Sequence, residues 1–133
     1  MLGKRDTKEY GSATLADIEN LVSDEARKSG HTVKAFQSNV EGELINFLQK
    51  ESSQAAGIII NPGAFTHYSY ALHDALLDTK LPAVEVHLSD ITSREEWRQV
   101  SVTAPACIGV VSGKKEKGYQ EALELLLSKL TTN

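Results

Sequence analysis

A lone cysteine, Cys107, cannot close a disulfide within the chain. The sequence therefore leans toward a reducing, cytoplasmic setting. Cys107 lies in an apolar run, Ala106 to Val111, and reads as a small core residue rather than a nucleophile. No apolar run approaches the roughly 20 residues that a membrane-spanning helix needs, and no signal-peptide pattern opens the chain. Basic residues are outnumbered, 14 against 18, giving a net charge of −4. That argues against a nucleic-acid partner held through phosphate contacts. There is no H-E-x-x-H motif and no cysteine pair, so the basis for a metal site is thin. Repeats, linkers and low-complexity segments are also missing.

The 133 residues suit one domain, and 41% hydrophobic with 24% charged is ordinary for a globular protein. Residues 1–13 carry charge and little periodicity and read as loop. Thr14 can cap a helix with Asp17 three residues on. Leu15, Ile18, Leu21, Val22 and Ala26 recur at helical spacing until Gly30 stops the run. The remaining expectations are a strand at Thr32–Phe36, a helix at Glu43–Lys50, a strand at Gly57–Ile60 and a helix capped by Ser69. After Pro82 come a strand at Ala83–Leu88, a helical turn near Arg94–Arg98, a strand at Cys107–Val111 and a helix at Gly118–Leu130. Helix and strand alternate, which predicts a parallel sheet with right-handed crossovers. The unbroken apolar run Gly57–Ile60 fits a strand covered on both faces. The first helix has no strand before it.

Three groups carry chemistry. The strand Ile58–Ile60 ends abruptly in Asn61-Pro62-Gly63, with His67 beyond; in open α/β sheets, ligands bind past the carboxyl ends of the strands. Glu85 and His87 lie two apart on a strand and so share a face; a carboxylate beside an imidazole fixes its tautomer and suits a general acid. Arg5 and Tyr10 share a front loop, where a guanidinium favours a phenolate. Backbone N–H groups at Leu88-Ser89 can cradle an anion. Arg94 and Arg98, four apart, can hold a carboxylate or hydroxyl, or pair with Glu95 and Asp90.

Taken in order, Leu2-Gly3-Lys4-Arg5, Tyr10-Gly11-Ser12, Gln37-Ser38-Asn39 with Glu41-Gly42-Glu43, Ile60 to Ser69, Glu85 to Ser89, Arg94-Glu95 with Arg98, and Gly118-Tyr119 resemble a type II 3-dehydroquinate dehydratase. The resemblance runs over nearly the whole chain. It implies a flavodoxin-like α/β three-layer sandwich and a single domain over residues 1–133. It implies anti-elimination of water from 3-dehydroquinate through an enolate, a step toward the aromatic amino acids, with no metal or organic cofactor. It implies a homododecamer built from trimers. Carried over by position, Tyr10 is the base, Arg5 lowers its pKa, and Asn61 stabilises the enolate and contacts substrate. His87 protonates the departing hydroxyl and Glu85 orients it. Backbone at Leu88 and Ser89 holds the carboxylate, His67 and Arg98 bind ring hydroxyls, and Asp74 reaches a neighbouring subunit's site.

Departures from the family pattern are Asp90 in place of asparagine, Gly-Lys-Lys-Glu-Lys-Gly at 113–118, and the strand with its Asn-Leu-Asn turn that the family carries before Leu2. The expectation is a domain incomplete at its N-terminal end, with Met1 at a position internal to the family pattern. A gap is then expected between Thr32–Phe36 and Gly57–Ile60. The rival reading keeps the scaffold without the chemistry, as a non-catalytic or truncated small-anion-binding module.

Overall fold

In the computed structural model, which describes residues 1–131, the sheet has three parallel strands: β1 (Ile58–Ile60), β2 (Ala83–His87) and β3 (Gly109–Ser112), in that spatial order. The register pairs Ile58 with Ala83 and Val84 with Gly109. β2 is central and buried along its whole length, whereas β1 is an edge and only half-buried. Among the described residues, five helices surround the sheet: α1 (Thr7–Tyr10), α2 (Leu15–Lys28), α3 (Glu41–Glu51), α4 (Tyr70–Thr79) and α5 (Lys117–Thr131). α2 lies on α5, and α3 lies on α4. Short 3-10 turns fill the connections.

Local chemistry explains most boundaries. Thr14 accepts from Asp17 N–H while Asp17 accepts from Thr14 N–H, a reciprocal cap at the start of α2. Gly30 follows α2 at φ +78°, where a side chain would be strained. Ser69 Oγ accepts from Leu72 N–H and starts α4. The apolar stripe Ile18, Val22 and Ala26 of α2 meets Leu88 and Leu123 in one core cluster. Leu48, Leu72, Ala75 and Leu76 close over Ala83 on the other face.

Several expectations are corrected. Residues 7–10 are a helical turn, not loop, because Asp6 accepts from Lys8 N–H and caps it. α3 begins two residues early, at Glu41. β3 starts at Gly109, so Cys107 lies before the strand, though still against the core. The turn after Ser89 is not one helix but two 3-10 pieces, Ile91–Ser93 and Glu96–Gln99, so Arg94 stands between them.

The largest correction is at Thr32–Phe36, which forms no strand. Phe36 instead stacks on Phe47 of α3, ring centroids 4.6 Å apart, and Lys34 pairs with Glu51 at 2.7 Å. The segment rides on α3, away from the sheet. Between it and β1 runs a cleft of about 1260 Å³, walled by residues 31–39, by residues 57–62 and by apolar side chains of α2, α3 and α5. The expected gap between the two segments is present.

Candidate active site

The polar mouth of that cleft lies beyond the C-terminal ends of β1 and β2. Arg5, Tyr10, Asn61, His67, His87, Leu88, Ser89, Arg94 and Arg98 all line it. Most of the expected site residues therefore converge from four separate stretches of chain. Glu85 stands behind His87, fully buried, and Asp74 lies on the exposed side of α4 with His73 3.1 Å away.

Tyr10 ends the helical turn α1. The Arg5 guanidinium sits 3.7 Å from its ring centroid, a cation on the aromatic face. The group at the phenolic oxygen is Arg94, whose Nη1 donates to it at 3.1 Å and also to Ser89 Oγ at 3.2 Å. Arg94 is further tied to Glu9, 3.8 Å away. The bond to Tyr10 is the main influence raising the Arg94 pKa above its ordinary value. Sequence spacing placed Arg94 in a general anion-holding pair with Arg98. Its contact with Tyr10 spans 84 residues, and no local signal announces it.

His87 closes β2 and is 5% exposed. Its Nε2 lies 2.8 Å from Glu85 Oε2. A carboxylate accepts only, so Nε2 carries the proton and Nδ1 is left for a ligand. Burial raises the Glu85 pKa, but hydrogen bonds from His87, Thr103 and Ser101 outweigh it, and the carboxyl sits below its usual value. Thr103, Ser101 and Thr66, which cluster there, carry no mark in the sequence.

Asn61 Oδ1 accepts from Gly63 N–H at 3.0 Å, an Asx turn that orients the amide at the strand end. Gly63 has φ +59° and lets the chain turn sharply there. Burial pushes the hydroxyl of Tyr119, on α5, up, and a hydrogen bond donated by the Asn61 amide partly offsets the effect. His67 Nδ1 donates to the Val100 carbonyl at 2.7 Å, and its ring meets Trp97 edge-on. That leaves its Nε2 for the cleft. Arg98 lies over Trp97, 4.1 Å from the centroid, and pairs with Glu95.

Fold and site define a parallel α/β scaffold whose cleft beyond the strand ends holds a tyrosine, a carboxylate-bound histidine and three arginines. A family profile described as Dehydroquinase class II matches residues 1–127, and the chain belongs to that family. It is 50% identical over 131 residues to the 3-dehydroquinate dehydratase of Clostridium acetobutylicum, covering 96% of this chain and 91% of that protein. It is 52% identical over 124 residues to the 3-dehydroquinate dehydratase of Thermotoga neapolitana, covering 93% and 84% respectively. The crystal structure of type II dehydroquinase from Butyrivibrio crossotus superposes with a TM-score of 0.91 at 39% identity, covering 95% of this chain and 88% of that one.

Proposed function

We propose that this chain removes water from 3-dehydroquinate to give 3-dehydroshikimate. The observation that carries the reading is one cleft onto which Tyr10 and His87 both open, lined by Arg5, Arg94 and Arg98, in a member of this family. Tyr10, as phenolate, takes the proton beside the ketone. Arg94 donates to its oxygen and Arg5 lies on its ring face, so both place positive charge beside the group that takes the proton. Electrons move into the carbonyl, and Asn61 hydrogen-bonds the resulting enolate. As the enolate collapses, the C–O bond breaks and His87 Nδ1 gives its proton to the departing hydroxyl. Glu85 then keeps the neutral ring as the Nε2–H tautomer. Ser89 and Leu88 backbone hold the substrate carboxylate, while His67 and Arg98 meet ring hydroxyls. The step is redox-neutral.

The product is an enone and absorbs ultraviolet light, whereas the substrate scarcely does. Incubation with 3-dehydroquinate alone is therefore expected to raise the absorbance. Binding without any such rise would favour the anion-binding module instead.

Two broader expectations go with this reading. The quaternary state is a homododecamer of trimers in a cytoplasmic setting. Support for assembly comes from α4, where Asp74 stands among exposed Tyr70 and Leu77, 70% and 51% accessible. The domain is complete only with one further strand in the cleft beside β1. Support comes from the edge position of β1 and from residues 32–36, which belong to no ladder among the described residues. Joining a segment with a continuous apolar run ahead of Met1 is expected to raise both stability and turnover. Unchanged stability would remove the slot from the account.

A further inference from the structure

Glu85 is 0% exposed and touches no cleft space, yet three hydroxyls surround it. Thr103 Oγ1 donates to Oε1, and Ser101 Oγ donates to Oε2 at 2.8 Å. Thr66 Oγ1 lies 2.8 Å from Ser101 Oγ and 2.7 Å from Thr103 Oγ1. Ala104 N–H donates to Ser101 Oγ at 2.9 Å, and Val102 N–H donates to the Thr66 carbonyl at 2.7 Å. The four oxygen-bearing side chains form a closed ring behind His87.

A proton count shows what the ring does. The three hydroxyls own three protons. With Glu85 ionised, two of these point at the carboxylate, and the third joins Thr66 to only one neighbour. A protonated Glu85 supplies a fourth. The chain Glu85 to Thr103 to Thr66 to Ser101 and back to Glu85 then closes around its perimeter, with only the longer Ser101 Oγ–Thr103 Oγ1 contact of 3.3 Å left across it. The ring can thus sit in either of two states. Its balance decides whether His87 Nε2 faces a full negative charge or a neutral acid. Burial opposes the charged state; the bonds that favour it reach Glu85 from His87 and then from Thr103 and Ser101, and together they leave the carboxyl below its usual value.

We infer that Thr103 and Ser101, held by Thr66, are positioning residues that keep Glu85 ionised and thereby keep His87 ready to give its proton from Nδ1. The inference rests on His87 being the acid proposed above. It goes beyond that role because the three hydroxyls touch neither cleft nor substrate. The titratable neighbours of Glu85 are His87 on its own strand and Cys107 after the Ala104–Ala106 turn. The Cys107 thiol is pushed up to about 12 by burial and by the Glu85 charge, so it stays neutral throughout the working range. On the cleft side, His87 shares its space with Tyr10, His67, Arg5, Arg94 and Arg98.

The test compares Thr103→Val, Thr103→Ser and Ser101→Ala in the full chain. Thr103→Val keeps the shape and deletes the hydroxyl. Its kcat is expected to fall roughly ten- to a hundredfold, the range for one lost hydrogen bond to a charged group. KM should stay within about twofold, since no substrate contact is touched. The alkaline limb of its kcat profile should move to lower pH. Thr103→Ser restores the hydroxyl and should restore both rate and profile. If Thr103→Val does not fold, Ser101→Ala, at a half-buried site, carries the same readouts. Nitrogen-labelled histidine spectra give a readout independent of turnover. Wild type and Thr103→Ser should show His87 with a protonated Nε2 hydrogen-bonded to a carboxylate, and Thr103→Val should weaken that signature. An unshifted profile with an unchanged His87 spectrum in folded Thr103→Val overturns the inference. Failure of Thr103→Ser to rescue does so too. Absence of turnover in wild type would instead count against the dehydratase reading and leave the spectra to decide the ring.

Discussion

The two ends of the proposed reaction reduce to two oxygen- or nitrogen-bearing groups and what touches them. Tyr10→Phe removes only the ionisable oxygen of a half-buried ring, so folding should be unchanged while turnover drops by about 10²–10⁴-fold, the usual cost of a positioned base. A folded Tyr10→Phe protein with near-normal turnover would take Tyr10 out of the mechanism. The two arginines beside Tyr10 separate by geometry. Arg94→Met should depress kcat more than Arg5→Met, because Arg94 meets the oxygen and Arg5 meets the ring face. The reverse order would return the leading role to Arg5. Strand-end position brought out Asn61, Glu85 and His87, whereas Tyr10 stood out only through the resemblance to the family. It could not bring out Thr66, Ser101 and Thr103. Their contacts reach across 16 to 37 residues, and a threonine in a loop looks the same whether or not it faces a buried carboxylate.

Among the elements, those whose boundaries follow from local chemistry were legible. The Thr14 and Asp17 reciprocal cap, the Gly30 stop and the Ser69 cap all stand where the residues put them. Thr14→Ala should cost about 1 kcal/mol, the usual worth of an N-cap. That corresponds to roughly 2–6 °C in melting temperature for a chain of this size. No shift would mean that α2 is held by packing alone. Residues 32–36 misled because strand pattern is realised only when a ladder exists, and here Phe47 and Glu51 capture the segment instead. Amide exchange should accordingly be slowest in β2, buried along its length, and fast in residues 32–36. Comparable protection in the two would contradict the open cleft.

Across the whole molecule, buried charge ties stability to pH. The folded pKa of Glu85 lies below its unfolded one. Its contribution is therefore present above the usual carboxylate range and is lost as pH falls through the lower folded value. The difference in denaturation midpoint between wild type and Glu85→Gln should be wide at neutral pH and should shrink in acid. A gap that widened in acid would reverse the sign. The net charge of −4 opposes an anionic substrate at long range, so three arginines at one cleft must act locally. The parallel α/β architecture was legible from alternation, and the gap beside β1 from a first helix with no strand before it, while the capture of residues 32–36 by α3 shows only in three dimensions. The most direct measurement is the ultraviolet absorbance of the chain mixed with 3-dehydroquinate, run beside Tyr10→Phe. The account predicts an enone absorbance that grows with wild type and is reduced at least about a hundredfold in rate with the variant. Equal rates for the two, or no absorbance change with folded wild type, would contradict it.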